Sequence, residues 1–159
     1  AIHYQRHIRT AMNDMLKLRN QLCFPLYACA KEVVRQYTPL LEPLGLTYTQ
    51  YIAMMVLWEH KSISIKDIGK LLYLDSGTLT PMLKKMEKAG LITRRRSKED
   101  ERVVIITITQ KGEELHEVAG EIPLKMSQCV KIDSEEAQQL YTLLNKMIEN
   151  FNTLQNERL

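Results

Sequence analysis

The sequence predicts a mainly α-helical fold with a small β wing: a winged helix-turn-helix with long helices before and after it. Residues 75–90 carry the pattern of an amphipathic helix, and residues 91–96 and 102–109 read as two strands joined by a polar turn. Residues 84–102 hold eight basic and four acidic side chains, a net of +4 in a chain whose net charge is +3. A helix, a hairpin and a basic tip in direct succession are the parts of a winged helix.

The predicted helix has one apolar and one polar face. Apolar side chains occupy the i, i+3, i+4 and i+7 positions at Leu79, Met82, Leu83 and Met86. Asp75, Ser76 and Thr78 can each serve as its N-cap, and Pro81, which is tolerated near the first turn, favours Thr78. Gly90 can take the left-handed conformation that ends a helix. We therefore expect one face to pack and the other to remain free.

Two further helices are predicted upstream. Thr47 and Gln50 form a capping-box pair that opens a mostly apolar helix over residues 48–59. Ser64 can cap the next helix, which contains Gly69. Glycine weakens a helix, but it allows the close approach of a following helix that a helix-turn-helix requires.

Length and composition fit a single domain over residues 1–159. A hydrophobic content of 45% can fill one core. We expect a winged-helix core over residues 47–109 and a helical dimerisation region formed by residues 8–40 and 110–159. Three long flanking helices are expected, over residues 12–37, 111–130 and 134–155. The last carries an apolar stripe that needs a partner, which predicts a homodimer.

The concentrated positive charge favours double-stranded DNA as the partner, because a basic patch on one element is typical of phosphate binding. Two-fold symmetry would place two recognition helices in successive major grooves of a pseudo-palindromic site, about one helical turn apart. A winged helix used for protein contacts alone is the alternative, and it predicts no salt-dependent DNA binding.

Several other classes are disfavoured by the sequence. No apolar run reaches the length of a membrane span and no signal-peptide pattern occurs, so a cytoplasmic protein without membrane contact is expected. The three cysteines form no Cys-x2-Cys pair and the four histidines are scattered, so we expect no metal and no cofactor. Without a Cys-x-x-Cys motif, a catalytic triad placed by motif or a phosphate-binding glycine loop, an enzyme is not expected.

Cys23 stands next to an informative residue. Pro25 is unwelcome inside a helix but favoured in its first turn, which predicts a helix start near Cys23. A thiol at that position faces the positive end of the helix dipole, which favours the nucleophilic thiolate and hence reaction with peroxides. The alternative is that Cys23 is an ordinary small core residue.

Several segments together resemble a known family. They are Gln21-Leu-Cys-Phe24, Leu26-Tyr-Ala28, residues 48–59, Leu72-Tyr-Leu-Asp-Ser-Gly-Thr-Leu-Thr-Pro-Met-Leu-Lys-Lys-Met86 and Asp100-Glu-Arg102. The chain resembles the organic hydroperoxide resistance repressors of the MarR superfamily over nearly its whole length. The resemblance implies a redox-sensing transcriptional repressor that leaves its operator when an organic hydroperoxide oxidises it.

The resemblance also implies roles for individual residues. Cys23 matches the family's peroxidatic cysteine, Tyr37 and Tyr48 match the tyrosines that hydrogen-bond its sulfur, and Tyr27 matches a residue that lines the same pocket. Cys129 matches the second cysteine of the two-cysteine members, which forms a disulfide with the first across the dimer. Peroxide would convert Cys23 to a sulfenic acid, which Cys129 of the other subunit would attack.

On the DNA side, the resemblance assigns the leading end of the recognition helix to base edges or phosphates. These residues are Ser76, Thr78, Thr80 and Pro81. A second set is suited to phosphates, and it comprises Lys84, Lys85, Arg94, Arg95, Arg96 and Lys98. Arg102 matches the wing arginine that enters the minor groove, with Asp100 able to orient it.

A rival function shares this fold. A MarR-type repressor induced by reversible binding of an aromatic small molecule would make the same DNA contacts without needing Cys23.

Overall fold

The computed structural model describes the backbone of residues 14–156 and the side chains of residues 14–153. The chain divides after Ile122 into two compact units. Within residues 14–156, no helix is long and apolar enough to cross a membrane.

The first unit contains five α-helices and three strands among its described residues. The helices are α1 (Cys23–Leu41), α2 (Tyr48–His60), α3 (Ile65–Leu72), α4 (Ser76–Lys88) and α5 (Gln110–Ala119). The strands are β1 (Ser62–Ser64), β2 (Ile92–Arg96) and β3 (Val104–Ile108). Short 3-10 turns lie at Leu18–Asn20 and Glu42–Leu44.

The three strands form an antiparallel sheet in the order β1-β3-β2. Arg96 lies opposite Val104, so β2 and β3 form the predicted wing hairpin, and β2 is an edge strand. Helices α2 to α4 and the sheet enclose a core of fully buried apolar side chains. These include Met54, Leu57, Ile68, Leu83, Met86 and Ile106. The winged helix-turn-helix expected from the sequence is therefore confirmed.

Capping explains where the central helices begin. The Thr47 hydroxyl accepts the N–H of Gln50, while the Gln50 side chain accepts the N–H of Thr47, which is the predicted capping box. Ser64 caps α3 as expected, since its hydroxyl oxygen accepts the N–H of Asp67. Both predicted caps are confirmed.

The predicted cap of α4 is wrong. Asp75 is the N-cap, because its carboxylate accepts the Thr78 N–H at 2.9 Å and the Thr78 hydroxyl at 3.3 Å. A carboxylate also interacts favourably with the positive end of the helix dipole. Pro81 therefore lies deeper in the helix than expected, where its missing N–H leaves the carbonyl of Gly77 without that donor.

Two of the predicted flanking helices are interrupted. In the expected helix over residues 12–37, residues 14 and 15 are helical, the helix breaks over residues 16–22, and α1 begins at Cys23. The restart at Cys23 follows from Pro25, which is suited to a first turn and not to a helix interior. Residues 8–13 of the expected dimerisation region, which include the first two residues of this expected helix, lie outside the described residues. The expected helix over residues 111–130 is two helices, since α5 ends before Gly120 and Pro123 opens the next one.

The second unit contains most of α6 (Ile122–Val130) and all of α7 (Ser134–Asn156). Asp133 opens α7 with a capping box, in which its carboxylate accepts the Glu136 N–H at 2.8 Å and the Glu136 carboxylate accepts the Asp133 N–H at 3.0 Å. This confirms the predicted start of the long C-terminal helix.

Candidate DNA interface and redox site

Helix α4 presents its polar face to solvent. Leu79, Leu83 and Met86 are at most 1% exposed on its inner face. The outward residues Ser76, Thr78, Pro81, Lys84 and Lys85 are exposed and Thr80 is half-buried. Every residue proposed for base or phosphate contact on this helix is therefore reachable, and its hydroxyls and ammonium groups lie on the same element.

Close packing at the helix-turn-helix corner fixes where α4 begins. A Cβ on Gly69 would lie 2.8 Å from the carbonyl oxygen of Leu74 and 3.1 Å from Cδ1 of Leu79. The N–H of Leu74 also donates to the carbonyl of Gly69 at 3.0 Å. Gly69 thus permits the close approach of α3 and α4 that the sequence predicted.

Arg102 lies where the wing tip returns to β3. Its guanidinium donates two hydrogen bonds to the Asp100 carboxylate, each 3.0 Å long, and its side chain is 90% exposed. Hydrogen bonding from Arg102 lowers the pKa of Asp100, so this carboxylate stays ionised and aims a charged arginine into solvent. Asp100 thus holds the guanidinium of Arg102 in one place.

The other basic residues of the wing differ in their exposure and in their hydrogen-bond and ion-pair partners. Arg95 and Lys98 are exposed, and Arg96 is exposed while donating to the carbonyl of Glu101 at 2.7 Å. Arg94 is instead 22% exposed and ion-paired with Glu87, with Nε 3.0 Å from the carboxylate. The sequence pattern grouped Arg94 with the free cations, and it gave no signal of this pairing.

A groove of about 870 Å³ runs beside the wing. Its apolar lining includes Leu74, Leu79 and Val104, and its basic lining includes Lys70 and Arg102. Lys70 could not be singled out from the sequence, because only the fold brings α3 alongside the wing.

Cys23 is the first residue of α1 and is exposed in the single chain. The N-cap residue, Leu22, makes no side-chain hydrogen bond to the first turn. The N–H groups of that turn are therefore free of a side-chain cap, and they confer partial positive charge on the surroundings of the thiol. The predicted helix start at Cys23 is confirmed.

Two of the three predicted tyrosines, Tyr37 and Tyr48, belong to a cluster at the other end of α1. The ring of Tyr37 lies 4.9 Å from that of Tyr48 and 5.7 Å from that of Tyr51, measured between centroids. Burial raises the pKa of Tyr37, with further contributions from Tyr48 and Tyr51. Tyr51, which is 3% exposed, was missed from the sequence, although its spacing of three from Tyr48 on α2 places the two on one face.

Within one chain the cysteine and the tyrosines are far apart. Cys23 and Tyr37 are fourteen positions apart on one helix, which corresponds to roughly 21 Å. No hydrogen bond joins a tyrosine hydroxyl to the sulfur within residues 14–153. Tyr27 is on the second turn of α1 and 64% exposed.

The remaining cysteines are also exposed. Cys129 lies on α6 in the second unit, and Cys29 lies on α1. The part of the chain that the structure describes contains no cluster of His, Cys, Asp or Glu side chains that could hold a metal ion.

Comparison with known proteins places this fold in a family. The sequence profile of the family described as transcriptional regulator SarA/Rot matches residues 35–118. The organic hydroperoxide resistance transcriptional regulator of Bacillus subtilis is 52% identical over 136 residues, which cover 86% of this chain and 92% of that protein. SarZ of Staphylococcus epidermidis is 40% identical over 135 residues, covering 84% and 91% of the two chains.

Solved structures of AbfR, a protein of Staphylococcus epidermidis, resemble this chain as well. Reduced AbfR bound to DNA is 33% identical with a TM-score of 0.73, and the comparison covers 88% of this chain and 98% of AbfR. Overoxidised AbfR bound to DNA gives the same TM-score, while disulfide-formed AbfR gives 0.61 at 34% identity and the same coverage. With relatives at this identity along more than four fifths of its length, the chain belongs to the organic hydroperoxide resistance regulators, DNA-binding transcriptional repressors of the MarR superfamily.

Proposed function

We propose that this protein is a dimeric repressor that binds a pseudo-palindromic operator when reduced and leaves it when an organic hydroperoxide oxidises Cys23. The observation that carries the proposal is the place of Cys23, an exposed thiol at the uncapped first turn of α1. The 52% identity to an organic hydroperoxide resistance regulator supports the choice of oxidant.

The first chemical step is a two-electron oxidation of the sulfur. The Cys23 thiolate attacks the terminal oxygen of the hydroperoxide, the O–O bond breaks, and the alkoxide leaves as an alcohol after taking up a proton. The products are a sulfenic acid on Cys23 and one alcohol molecule. The thiolate is the reactive form, and the free N–H groups of the first turn stabilise it.

Tyrosine hydroxyls supply the second part of the site. A phenol can donate a hydrogen bond to the thiolate only while it is protonated, which every tyrosine is at neutral pH, and burial moves the pKa of Tyr37 further above that range. Since Cys23 and Tyr37 lie roughly 21 Å apart along one helix, the Tyr37 and Tyr48 that line the Cys23 pocket belong to the other subunit. Tyr27 is one turn from Cys23 on α1 and lines the pocket from the same subunit. The peroxide site is then complete only in the dimer.

Exposed apolar side chains support a dimer. In the first unit, the α1 residues Phe24, Tyr27 and Val34 are 43%, 64% and 40% exposed. In the second unit, Tyr141 and Phe151 on α7 are 65% and 57% exposed. Large apolar surfaces of this kind are the mark of an interface, and two copies related by two-fold symmetry would cover them.

The second chemical step forms a disulfide. The Cys129 thiolate of the other subunit attacks the sulfenic sulfur of Cys23, the S–O bond breaks, and water leaves after protonation. AbfR has been solved bound to DNA in reduced and overoxidised forms, and this chain superposes better on those forms than on the disulfide form. This difference in the fit of a single chain supports a disulfide-linked form in which the subunit has a different shape from the DNA-bound one.

DNA docking follows from the exposed polar surface. The leading end of α4 enters the major groove with Ser76, Thr78, Thr80 and Pro81. Lys84, Lys85, Arg95, Arg96 and Lys98 neutralise phosphates, and Arg102, oriented by Asp100, enters the minor groove. Phosphate neutralisation makes the affinity depend steeply on salt.

A DNA-binding titration tests the redox proposal. The probe is a labelled duplex selected from a random library by the reduced wild-type protein, and anisotropy is measured before and after one equivalent of tert-butyl hydroperoxide. Wild type should lose at least about tenfold in affinity, within the usual range of allosteric coupling. Cys23→Ser should remain bound.

Cys29→Ser is the matched control, because Cys29 is another exposed cysteine on the same helix. It should respond like wild type. Cys129→Ser should show no disulfide-linked dimer on a non-reducing gel and should be released less. If peroxide releases Cys23→Ser as readily as wild type, the proposal fails.

The groove beside the wing favours a second candidate function. Its apolar floor at Leu74 and Leu79 and its cations Lys70 and Arg102 suit a small aromatic carboxylate, which would act as a reversible inducer. Such a ligand would release the Cys23→Ser variant from DNA without peroxide. Titration of that variant with salicylate separates the two functions.

A further inference from the structure

Glu87 is out of place by two ordinary rules. It lies in the last turn of α4, where the helix dipole favours cations and disfavours carboxylates. It also adds a negative charge to a segment that carries Lys84, Lys85 and Lys88 and that faces DNA in the docking proposed above. A carboxylate that is unfavourable for both the helix dipole and the binding of DNA needs a compensating interaction.

Arg94 supplies that interaction at two points. The Glu87 carboxylate accepts the Arg94 backbone N–H at 3.1 Å through one oxygen and the Arg94 Nε–H at 3.0 Å through the other. The side chains of Arg94 and Glu87 are 22% and 39% exposed. Partial burial and two anchor points make this pair more restrictive than an ordinary surface ion pair.

The pair joins the recognition helix to the middle of the wing. Arg94 lies opposite Ile106 in the hairpin, and Arg96, two positions further along, lies opposite Val104 next to the tip. Strand β2 is an edge strand, so its outward N–H groups have no further strand to bond. Glu87 satisfies one of them and so holds the outer edge of the wing against α4.

We propose that the Glu87–Arg94 pair is a positioning element that sets the angle between the wing and the recognition helix, and that Arg94 makes no phosphate contact. The proposal rests on the docking of α4 and the wing described under Proposed function. With the angle fixed, the leading end of α4 and Arg102 reach the major and the minor groove of one duplex together.

Removing Glu87 distinguishes this role from simple electrostatics. Removal of a negative charge near DNA should strengthen binding if charge alone mattered. Removal of the positioning interaction should weaken it. Reduced Glu87→Ala should therefore bind the selected duplex roughly tenfold more weakly, which is the scale of one hydrogen bond to a charged group.

Glu99→Ala is the matched control. Glu99 is an exposed acid in the wing turn, and no ion pair involves its side chain among the residues described. This variant should bind the duplex as tightly as wild type or more tightly. A Glu87→Ala protein that behaves like Glu99→Ala would overturn the proposal.

The salt dependence of binding gives a second test that a folding defect does not mimic. Arg95→Gln removes the charge of the exposed residue next to Arg94. This change should lower the slope of log K against log salt by about 0.9 for each phosphate that is no longer neutralised. Arg94→Gln should weaken binding with the slope of wild type. A slope lowered as in Arg95→Gln would make Arg94 a phosphate-binding residue and refute the positioning role.

Failure of the docking and failure of the positioning role give different results. If Arg95→Gln also keeps the wild-type slope, the docking itself is wrong and the positioning role falls with it. If Arg94→Gln lowers the slope as well, the docking stands and the positioning role alone is wrong. All measurements use reduced protein, so neither result depends on the peroxide chemistry.

Discussion

Replacement of Gly112 by alanine should destabilise the protein strongly, because the start of α5 lies directly against the strand that begins the wing. A Cβ on Gly112 would lie 2.4 Å from the Leu91 carbonyl oxygen and 2.8 Å from Cγ1 of Ile108. Relief of the first contact requires a shift of the helix start. That shift lengthens two hydrogen bonds of Thr109. Its N–H donates to the carbonyl of Leu91 at 3.0 Å, and its hydroxyl donates to the carbonyl of Gly90 at 2.7 Å.

The magnitude follows from three contributions. Two weakened hydrogen bonds cost about 2 kcal/mol together, and overpacking costs about 1–3 kcal/mol. Alanine returns about 1 kcal/mol through its higher helix propensity, which leaves a net loss of about 2–4 kcal/mol. For a chain of this length, the unfolding midpoint should fall by roughly 5–15 °C.

Thermal and urea unfolding followed by tryptophan fluorescence provide the measurement. Trp58 is the only tryptophan, and its indole N–H donates to the carbonyl of Gly112 at 2.9 Å, so it reports directly on this junction. Gly120→Ala is the control, since Gly120 is exposed and its added Cβ would come no closer than 3.3 Å to another atom. Protein concentrations must match, because the proposed dimerisation would make the midpoint depend on concentration. A Gly112→Ala midpoint within about 1 °C of wild type would refute the proposed steric conflict.

Three further outcomes are expected. Arg102→Ala should weaken operator binding and lower the salt slope by about 0.9 per subunit, while Lys146→Ala on α7 should change neither. A hydrogen bond from Ser64 lowers the pKa of Asp67 in the folded state. The ionised Asp67 carboxylate therefore stabilises the fold above its unfolded-state pKa, and this stabilisation is lost as the pH falls through its folded-state pKa. In an acid titration, wild type should lose more stability than Asp67→Asn. Because burial raises the pKa of both Tyr37 and Tyr51, ultraviolet titration should show late-ionising tyrosines whose absorbance change becomes smaller in Tyr37→Phe.

The winged-helix core could be predicted from sequence because its signals are local. The capping box at Thr47, the Ser64 cap and the apolar spacing of α4 each depend on residues within one or two turns. The errors arose where two local signals competed. Pro81 suggested a helix start at Thr78, but the Asp75 carboxylate is the stronger cap, so the helix accepts the proline further in.

Charge counting was less informative than charge placement. Arg94, Arg95 and Arg96 are consecutive and look equivalent in sequence, yet alternation along β2 sends neighbouring side chains to opposite faces. Arg94 meets Glu87 of α4, whereas Arg95 stays exposed. Only the packing of the hairpin against the helix distinguishes the ion-paired Arg94 from the exposed Arg95.

The redox residues could not be assembled from one chain by any local rule. Proline spacing located the helix start at Cys23, but Tyr37 belongs to the far end of the same rigid helix, and only the family resemblance linked the two. Within one subunit this helix keeps them roughly 21 Å apart. If they share one pocket, two subunits must cross with their α1 helices antiparallel, so that each cysteine meets the other helix's tyrosines. Peroxide sensing and operator binding would then depend on the same interface, and a chain that cannot dimerise would lose both.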